Sequence, residues 1–237
     1  TGTNKTNHLK SDFKFTSSNE LAHLSCQFDE IENYNNSDKV EECLVRGILF
    51  NEQTRNYMNN QSLTAALQEI KSVVLKNNKL DILGMDACLM AMVEVGYQAR
   101  NFAHYLVASE EAELAHGWDY AALCEILSKN LSPSQVAQSI VMAYELCYKN
   151  KIQFYTQSAI DLTCMDTLKT YIDELAYNIK LCKNTNSNLT ETLLKKSRNT
   201  CLQFSAASYI DLHSFCSEFI NQINSIKDHK QTESKEF

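Results

Sequence analysis

A short, mostly apolar run at residues 80–84, LDILG, leads within a few residues into a helical pattern from Leu89 to Arg100. A buried strand that continues into an amphipathic helix is typical of a parallel sheet, because parallel neighbours must be joined by a crossover. The same order recurs, since apolar strands are predicted at residues 104–109 and 152–162 and each is followed by helical patterns. We therefore predict an α/β fold with a mainly parallel sheet and helices on both faces.

Several helices are predicted from apolar periodicity and from capping residues. Asp119 is predicted to cap a helix that ends near Lys129. Pro133, the only proline in the chain, follows Ser132 and is predicted to open a helix, because proline is tolerated at the first helical position. Further helices are predicted at residues 62–76, 165–182, 190–204 and 211–226.

The chain divides into three parts by composition. Residues 1–45 are rich in Asn, Ser, Lys and Glu, so we predict a polar surface segment or an insertion, with one short helix near residues 19–32. Residues 46–226 carry the strand and helix pattern and are predicted to form one domain, large enough to bury a sizeable core. The polar residues 227–237 are predicted to be a disordered tail.

Charge and cysteine spacing argue against several function classes. The net charge of −7 disfavours nucleic acid and anionic membranes as partners and favours cationic ones. No apolar run approaches the roughly 20 residues needed to span a bilayer. The nine cysteines are scattered singly, without a Cys-x-x-Cys pair or a Cys/His cluster at zinc spacing, so neither a disulfide framework nor a metal site is predicted.

Cys88 lies at the junction of the predicted strand and helix, where the carboxyl ends of parallel strands gather reacting groups. We expect it at or just before the first turn of the helix, where free amides and the helix dipole favour a thiolate. Asp86 stands two positions earlier, with its carboxylate near the same surface. A buried structural cysteine is the alternative interpretation, and position alone favours it.

Three stretches change that balance: RGILFNEQTRNYMNNQSLTAALQEI, LDILGMDACLMAMVEVGYQAR and YLVASEEAELAHGWDY. Together they closely resemble the clostripain family of cysteine peptidases, which shares a caspase-like and gingipain-like α/β fold. The similarity runs from about Arg46 to Trp118 and continues more weakly to YIDLHSF at residues 209–215. The resemblance implies that Cys88 is the nucleophile, that cleavage follows Arg or Lys, and that Asp86 lines the specificity pocket.

Glu110 and Glu111 follow the second strand and are expected at the same sheet edge. They are interpreted either as a pocket wall that helps to bind a basic side chain or as a carboxylate pair at a helix start. Of the two, Glu110 is the candidate substrate-binding residue. Trp118 is interpreted either as a packing anchor or as a ligand platform.

A cysteine peptidase needs a histidine to take up the thiol proton. The resemblance implies a histidine upstream of the cysteine, in a His-Gly-x-Gly turn beside the cysteine strand, but the sequence has no such turn. His116 is the best internal alternative, because it is the one histidine in a loop expected near Cys88. The remaining histidines are disfavoured by their predicted positions: His8, His23, His104, His213 and His229.

The first two residues, Thr1 and Gly2, match the second half of a His-Gly-Thr-Gly turn. We therefore hypothesise that the catalytic histidine lies just upstream, on an N-terminal segment or a companion chain, and that this chain lacks the first strands of the fold. The oxyanion would then be bound by the backbone amides of Cys88 and Gly2. The sheet is expected to have an open edge where those strands are missing.

The prediction is a cysteine endopeptidase specific for basic residues, acting on peptides or proteins. One alternative is a catalytically inactive module of the same fold that binds basic peptide segments, and a weaker one is a non-peptidase hydrolase. No cofactor is predicted, and calcium is implied by the resemblance alone, because no oxygen-rich calcium loop is present. For the compartment, the resemblance implies bacterial secretion, whereas unpaired cysteines favour a reducing environment.

Overall fold

The computed structural model describes residues 47–51, 56–114, 116–151, 154–205 and 208–233. The predictions for residues 1–45, including the short helix near 19–32 and the role of Gly2, lie outside these residues. From Ile48 onward the chain forms one compact unit.

The described residues form five strands and seven α-helices. The strands are β1 Gly47–Asn51, β2 Asn56–Asn59, β3 Leu80–Gly84, β4 Ala103–Ala108 and β5 Ser158–Asp161. The helices are α1 Asn60–Glu69, α2 Val93–Ala99, α3 Tyr120–Leu127, α4 Pro133–Tyr148, α5 Met165–Thr185, α6 Ser187–Thr200 and α7 Leu212–Glu233. A π-helical turn, Ile70–Val74, extends α1, and a 3₁₀ turn, Leu162–Cys164, precedes α5.

The main sheet has the order β3-β4-β5, and β1 and β2 form a separate two-stranded sheet. Strands β3 and β4 are parallel, with Leu80 opposite Ala103, as the sequence predicts. Strand β5 instead pairs antiparallel with β4, and its first residue, Ser158, lies opposite Ala108. The reason is that Thr156 is bound at the carboxyl end of β4, so the chain enters β5 from that end.

Strand β4 lies at the centre of the sheet and is covered on both faces. Leu106 and Ala108 belong to a core on the side of α2 and α5. Val107 belongs to a second core built from α3 and α4. All three side chains are fully buried, as expected for a strand between two helical layers. The predicted α/β fold with helices on both faces is confirmed.

The predicted starts of α3 and α4 are confirmed. The Asp119 side chain accepts a hydrogen bond from the backbone N–H of Ala122 at 3.0 Å. Ser132 and Gln135 form a reciprocal capping box ahead of Pro133.

Helix α7 runs to Glu233, whereas the sequence predicts a helix end at Ile226 and a disordered tail over residues 227–237. The segment from Lys227 to Glu233 is rich in Lys, Gln and Glu, which favour the helical backbone even without an apolar face.

Candidate active site

The loop between β3 and α2, residues 85–92, carries Cys88 and runs beside the loop after β4. Three backbone hydrogen bonds join the β3–α2 loop to β4 and to the loop that follows it: Met85 N to Val107 O at 2.9 Å, Leu89 N to Glu111 O at 3.2 Å and Ala91 N to Ser109 O at 2.8 Å. The β3–α2 loop therefore continues the pairing of the sheet beyond the end of β3.

The position of Cys88 relative to the helix differs from the prediction. Helix α2 begins at Val93 with Met92 as its N-cap, so the predicted start at Leu89 is wrong. The physical reason is that Leu89 has a φ of 58°, a left-handed conformation that a right-handed helix cannot include. Cys88 thus lies in a turn outside the first turn of α2, where the helix dipole falls off.

The Cys88 thiol is half-buried against Glu113. The backbone N–H of Glu113 donates to Cys88 Sγ at 3.2 Å, and Sγ lies 3.8 Å from the Glu113 carbonyl oxygen. Among the described residues, Glu113 supplies both of these hydrogen-bond partners. Burial raises the pKa of the thiol, and the Glu113 N–H opposes that rise. The neutral thiol is therefore favoured, contrary to the expectation of a thiolate stabilised by the helix.

Leu89, directly after Cys88, has a positive φ of 58° although it is not glycine. A branched side chain rarely adopts this conformation, which costs about 1–3 kcal/mol and is concentrated at functional sites. The Leu89 side chain is buried, and its N–H bonds to Glu111 O, so packing and hydrogen bonding hold the strained turn in place.

Asp86 is exposed, and its carboxylate is held by the loop between β4 and α3, residues 109–119. The backbone N–H of Trp118 donates to Asp86 Oδ2 at 3.0 Å, and the Tyr120 hydroxyl donates to the same oxygen at 2.9 Å. Gly117 has a φ of 64°, and a Cβ at this position would collide with the Asp86 carboxylate. Asp86 and Cys88 thus lie two residues apart in the β3–α2 loop, and each accepts a hydrogen bond from a backbone N–H of the β4–α3 loop.

Glu110 and Glu111 do not start a helix, because α3 begins at Tyr120. The interpretation as a helix-start pair is wrong for both. The Glu111 carboxylate instead accepts hydrogen bonds from the N–H of Ala112 at 2.7 Å and of Ser205 at 3.0 Å. Glu111 thereby ties the β4–α3 loop to the segment before α7.

Glu110 is half-buried near Asp211, at the start of α7. Burial raises the pKa of Glu110 to about 6, and the charge of Asp211 adds to the rise. Its backbone N–H donates to Thr156 Oγ1 at 2.9 Å, as does that of Glu111. Thr156, which the sequence analysis missed, thus fixes the start of the β4–α3 loop.

Glu113 is the second residue that the sequence analysis missed. Its side chain is buried, at 5 % exposure, and Trp118 Nε1 donates to Glu113 Oε1 at 3.2 Å. Glu113 lies in the same acidic run, SEEAELAHGWDY, that carries the family resemblance. An acidic residue between apolar neighbours was the available signal.

Trp118 is a packing anchor. Its side chain is buried, and its ring lies about 3.0 Å from where a Cβ on Gly84 would stand. The close approach explains why β3 ends in glycine.

The internal alternatives for the base lie at different places. His116 is exposed in the turn before Gly117. His104 is on the amino-terminal part of β4, away from the edge that carries Cys88, as predicted. Gly2 lies outside the described residues.

Within the described ranges, no three His, Cys, Asp or Glu side chains are grouped closely enough to hold a metal ion. A search of those same ranges also finds no helix that is long and apolar enough to cross a membrane.

Solved structures of bacterial cysteine proteases are similar to the chain. A B. fragilis cysteine protease is 17% identical, with a TM-score of 0.44, over 76% of this chain and 74% of that one. A clostripain from Bacteroides thetaiotaomicron, in complex with the peptide inhibitor BTN-VLTK-AOMK, is 17% identical, with a TM-score of 0.47, over 76% and 75%. A secreted C11 cysteine protease from the same organism is 22% identical, with a TM-score of 0.46, over 73% and 46%.

A search of curated protein sequences finds no significant match. The model of the clostripain family, peptidase family C11, matches residues 32–236, which is most of the chain. The chain therefore belongs to the clostripain family of cysteine peptidases.

Proposed function

We propose that this chain carries the nucleophile of an endopeptidase that cleaves after Arg or Lys. The observation that carries the proposal is that the β3–α2 loop carries both Cys88 and Asp86. The Asp86 carboxylate is exposed and is oriented by Trp118 N–H and Tyr120 OH. A guanidinium or ammonium group needs such a counter-charge when it enters a partly desolvated pocket.

Cys88 would form the acyl-enzyme. Its Sγ attacks the scissile carbonyl carbon while a histidine takes the thiol proton, and backbone N–H groups, among them that of Cys88, bind the oxyanion. The histidine returns the proton to the leaving amine as the C–N bond breaks. Water, deprotonated by the same histidine, then hydrolyses the thioester and frees the thiol.

The raised pKa of Cys88 explains why the histidine is required. A thiol that burial keeps neutral attacks slowly unless a base removes its proton in the same step. Among the described residues the thiol hydrogen-bonds only to the backbone of Glu113, so the base would come from elsewhere.

An N-terminal segment or companion chain would supply this base at the edge of β3. Within the described part of the sheet, β3 pairs with β4 on one side and has no strand on the other. A strand added at that edge would end beside the β3–α2 loop. His116 is the internal alternative, and its replacement by Ala tests that role directly.

Glu110 is the proposed second acidic residue of the basic pocket. It follows β4 at the same sheet edge as the β3–α2 loop, and it is half-buried beside Asp211. Its carboxylate would add to the negative field that attracts a cationic side chain.

Turnover of arginyl and lysyl amide substrates by the complete gene product tests the role of Cys88. We expect Cys88→Ala to lower kcat/KM by at least about 10³-fold, because the acyl-enzyme can no longer form. Cys124→Ala is the matched control, since Cys124 is an exposed thiol on α3, and it should retain full activity. Equal turnover by Cys88→Ala and wild type would remove Cys88 from the mechanism.

A catalytically inactive module that binds basic peptides is the second candidate. The observation that favours it is the neutral thiol, whose described hydrogen-bond partners are backbone atoms. Binding of a basic peptide without turnover by the complete gene product would support this candidate over the peptidase.

A further inference from the structure

Glu113 is a buried carboxyl group that the proposed chemistry does not use, yet it contacts the nucleophile. Trp118 Nε1 donates to its Oε1 at 3.2 Å, and the Gln157 amide nitrogen, turned toward it, donates to the same oxygen at 3.0 Å. The other oxygen, Oε2, is buried and has no hydrogen-bond partner among the described residues.

We propose that Glu113 is a positioning residue for Cys88: its clamped side chain holds its own backbone N–H against Sγ, and its charge state sets how readily the thiol ionises. This inference relies on the proposed function only for the role of Cys88 as nucleophile. The readouts chosen below do not require peptidase activity.

Hydrogen bonds stabilise only one oxygen of the Glu113 carboxyl. Two donors converge on Oε1, where they favour the ionised form, whereas Oε2 is buried without a hydrogen-bond partner among the described residues, which disfavours it. Burial raises the pKa of Glu113 to about 8, and the neighbouring Asp86 adds to the rise. At neutral pH Glu113 is therefore mainly neutral.

The titratable groups that are electrostatically coupled to Glu113 are a carboxyl, a thiol and phenols. The β3–α2 loop contributes Asp86 and Cys88, the first turn of α3 contributes Tyr120, and α4 contributes Tyr144 and Tyr148. None of these side chains is a cation. Ionisation of Glu113 therefore places a second, uncompensated negative charge beside the thiol and raises the pKa of Cys88 further.

Two readouts on the 237-residue chain test this coupling. Trp118 is the only tryptophan, and its indole N–H contacts Glu113, so its fluorescence reports the charge of that carboxyl. Alkylation of Cys88 by iodoacetamide, resolved by peptide mass spectrometry from about pH 6 to about pH 10, reports the thiolate fraction. Cys124, an exposed thiol in the same sample, is the internal control.

In the wild type we expect a fluorescence step with a midpoint near pH 8, and in Glu113→Gln no such step. Above that pH, Cys88 in Glu113→Gln should be alkylated about three- to tenfold faster than in the wild type, because the second negative charge is gone. The alkylation of Cys124 should be unchanged. A step that persists in Glu113→Gln, or equal alkylation of Cys88 in both proteins, would overturn the proposal.

Gln157→Ala provides a second test if Glu113→Gln does not reach the native circular dichroism spectrum. Loss of one donor to Oε1 disfavours the ionised carboxylate, so the fluorescence step should move to higher pH. An unchanged midpoint of the fluorescence step would contradict the proposed hydrogen bond from Gln157 to Glu113. Because neither readout measures peptide cleavage, failure of the peptidase proposal leaves these outcomes interpretable.

Discussion

The two loops at the carboxyl ends of β3 and β4 have different roles in the candidate site. The β3–α2 loop carries the exposed Asp86 and the thiol of Cys88. The β4–α3 loop contributes mainly backbone N–H groups and buried side chains that hold those two residues, through Glu113 N–H and Trp118 N–H. Reactive side chains on one loop are thus positioned by the main chain of another, so substitutions in the second loop should alter the first.

Among substitutions that keep the thiol, replacing the charge on the β3–α2 loop is expected to have the largest effect. Asp86→Asn keeps the hydrogen-bond acceptor for Trp118 N–H but removes the counter-charge for a basic side chain. We expect kcat/KM for an arginyl substrate to fall about 100-fold in the complete gene product, equivalent to about 2.7 kcal/mol. Asp81→Asn, at an exposed position of β3, is the control, and its kcat/KM should stay near the wild-type value. Full activity of Asp86→Asn would show that Asp86 does not take part in substrate recognition.

A substitution in the β4–α3 loop alone should also displace the Asp86 carboxylate. In Gly117→Ala the new methyl group meets the Asp86 carboxylate, and the backbone keeps a φ of 64° that alanine disfavours. We expect a loss of about 1–3 kcal/mol in the free energy of unfolding and a higher KM for arginyl substrates. Gly96→Ala is the control, because its methyl group meets the flexible end of Met165, and it should leave KM unchanged. An unchanged KM in Gly117→Ala would show that the loops are independent.

Thr156, which binds the start of the β4–α3 loop, is expected to contribute to stability. Thr156→Val removes the oxygen that accepts the N–H groups of Glu110 and Glu111 and contacts the buried hydroxyl of Ser109. Unsatisfied amides should lower the free energy of unfolding by about 1–3 kcal/mol, measured by urea denaturation. Thr170→Val, exposed on α5, should change it by less than about 0.5 kcal/mol. Similar values for both variants would contradict the role of Thr156.

The first loop was largely predictable and the second was not. Local patterns predict β3 at residues 80–84 and the capped starts at Asp119 and Ser132, since each depends on neighbouring residues. The resemblance singles out Cys88 and Asp86 by their local motif. The contact of Glu113 with Cys88 joins residues far apart in the chain, and no local pattern encodes it.

Long-range contacts also explain the two departures in backbone geometry. Strand β5 is antiparallel because Thr156 is held at the end of β4, which the apolar pattern of the strand does not reveal. Helix α2 starts only at Val93 because Leu89, whose N–H binds Glu111 O in the neighbouring loop, has a φ of 58° that a right-handed helix cannot include.

The most direct test of the account is covalent labelling of the complete gene product with an acyloxymethyl ketone that bears an arginine or lysine side chain, followed by peptide mapping. We predict that Cys88 alone is labelled and that Asp86→Asn greatly slows the labelling. Labelling at another residue, or no labelling of a protein that still binds basic peptides, would contradict the assignment of Cys88 as the nucleophile of a peptidase for basic residues.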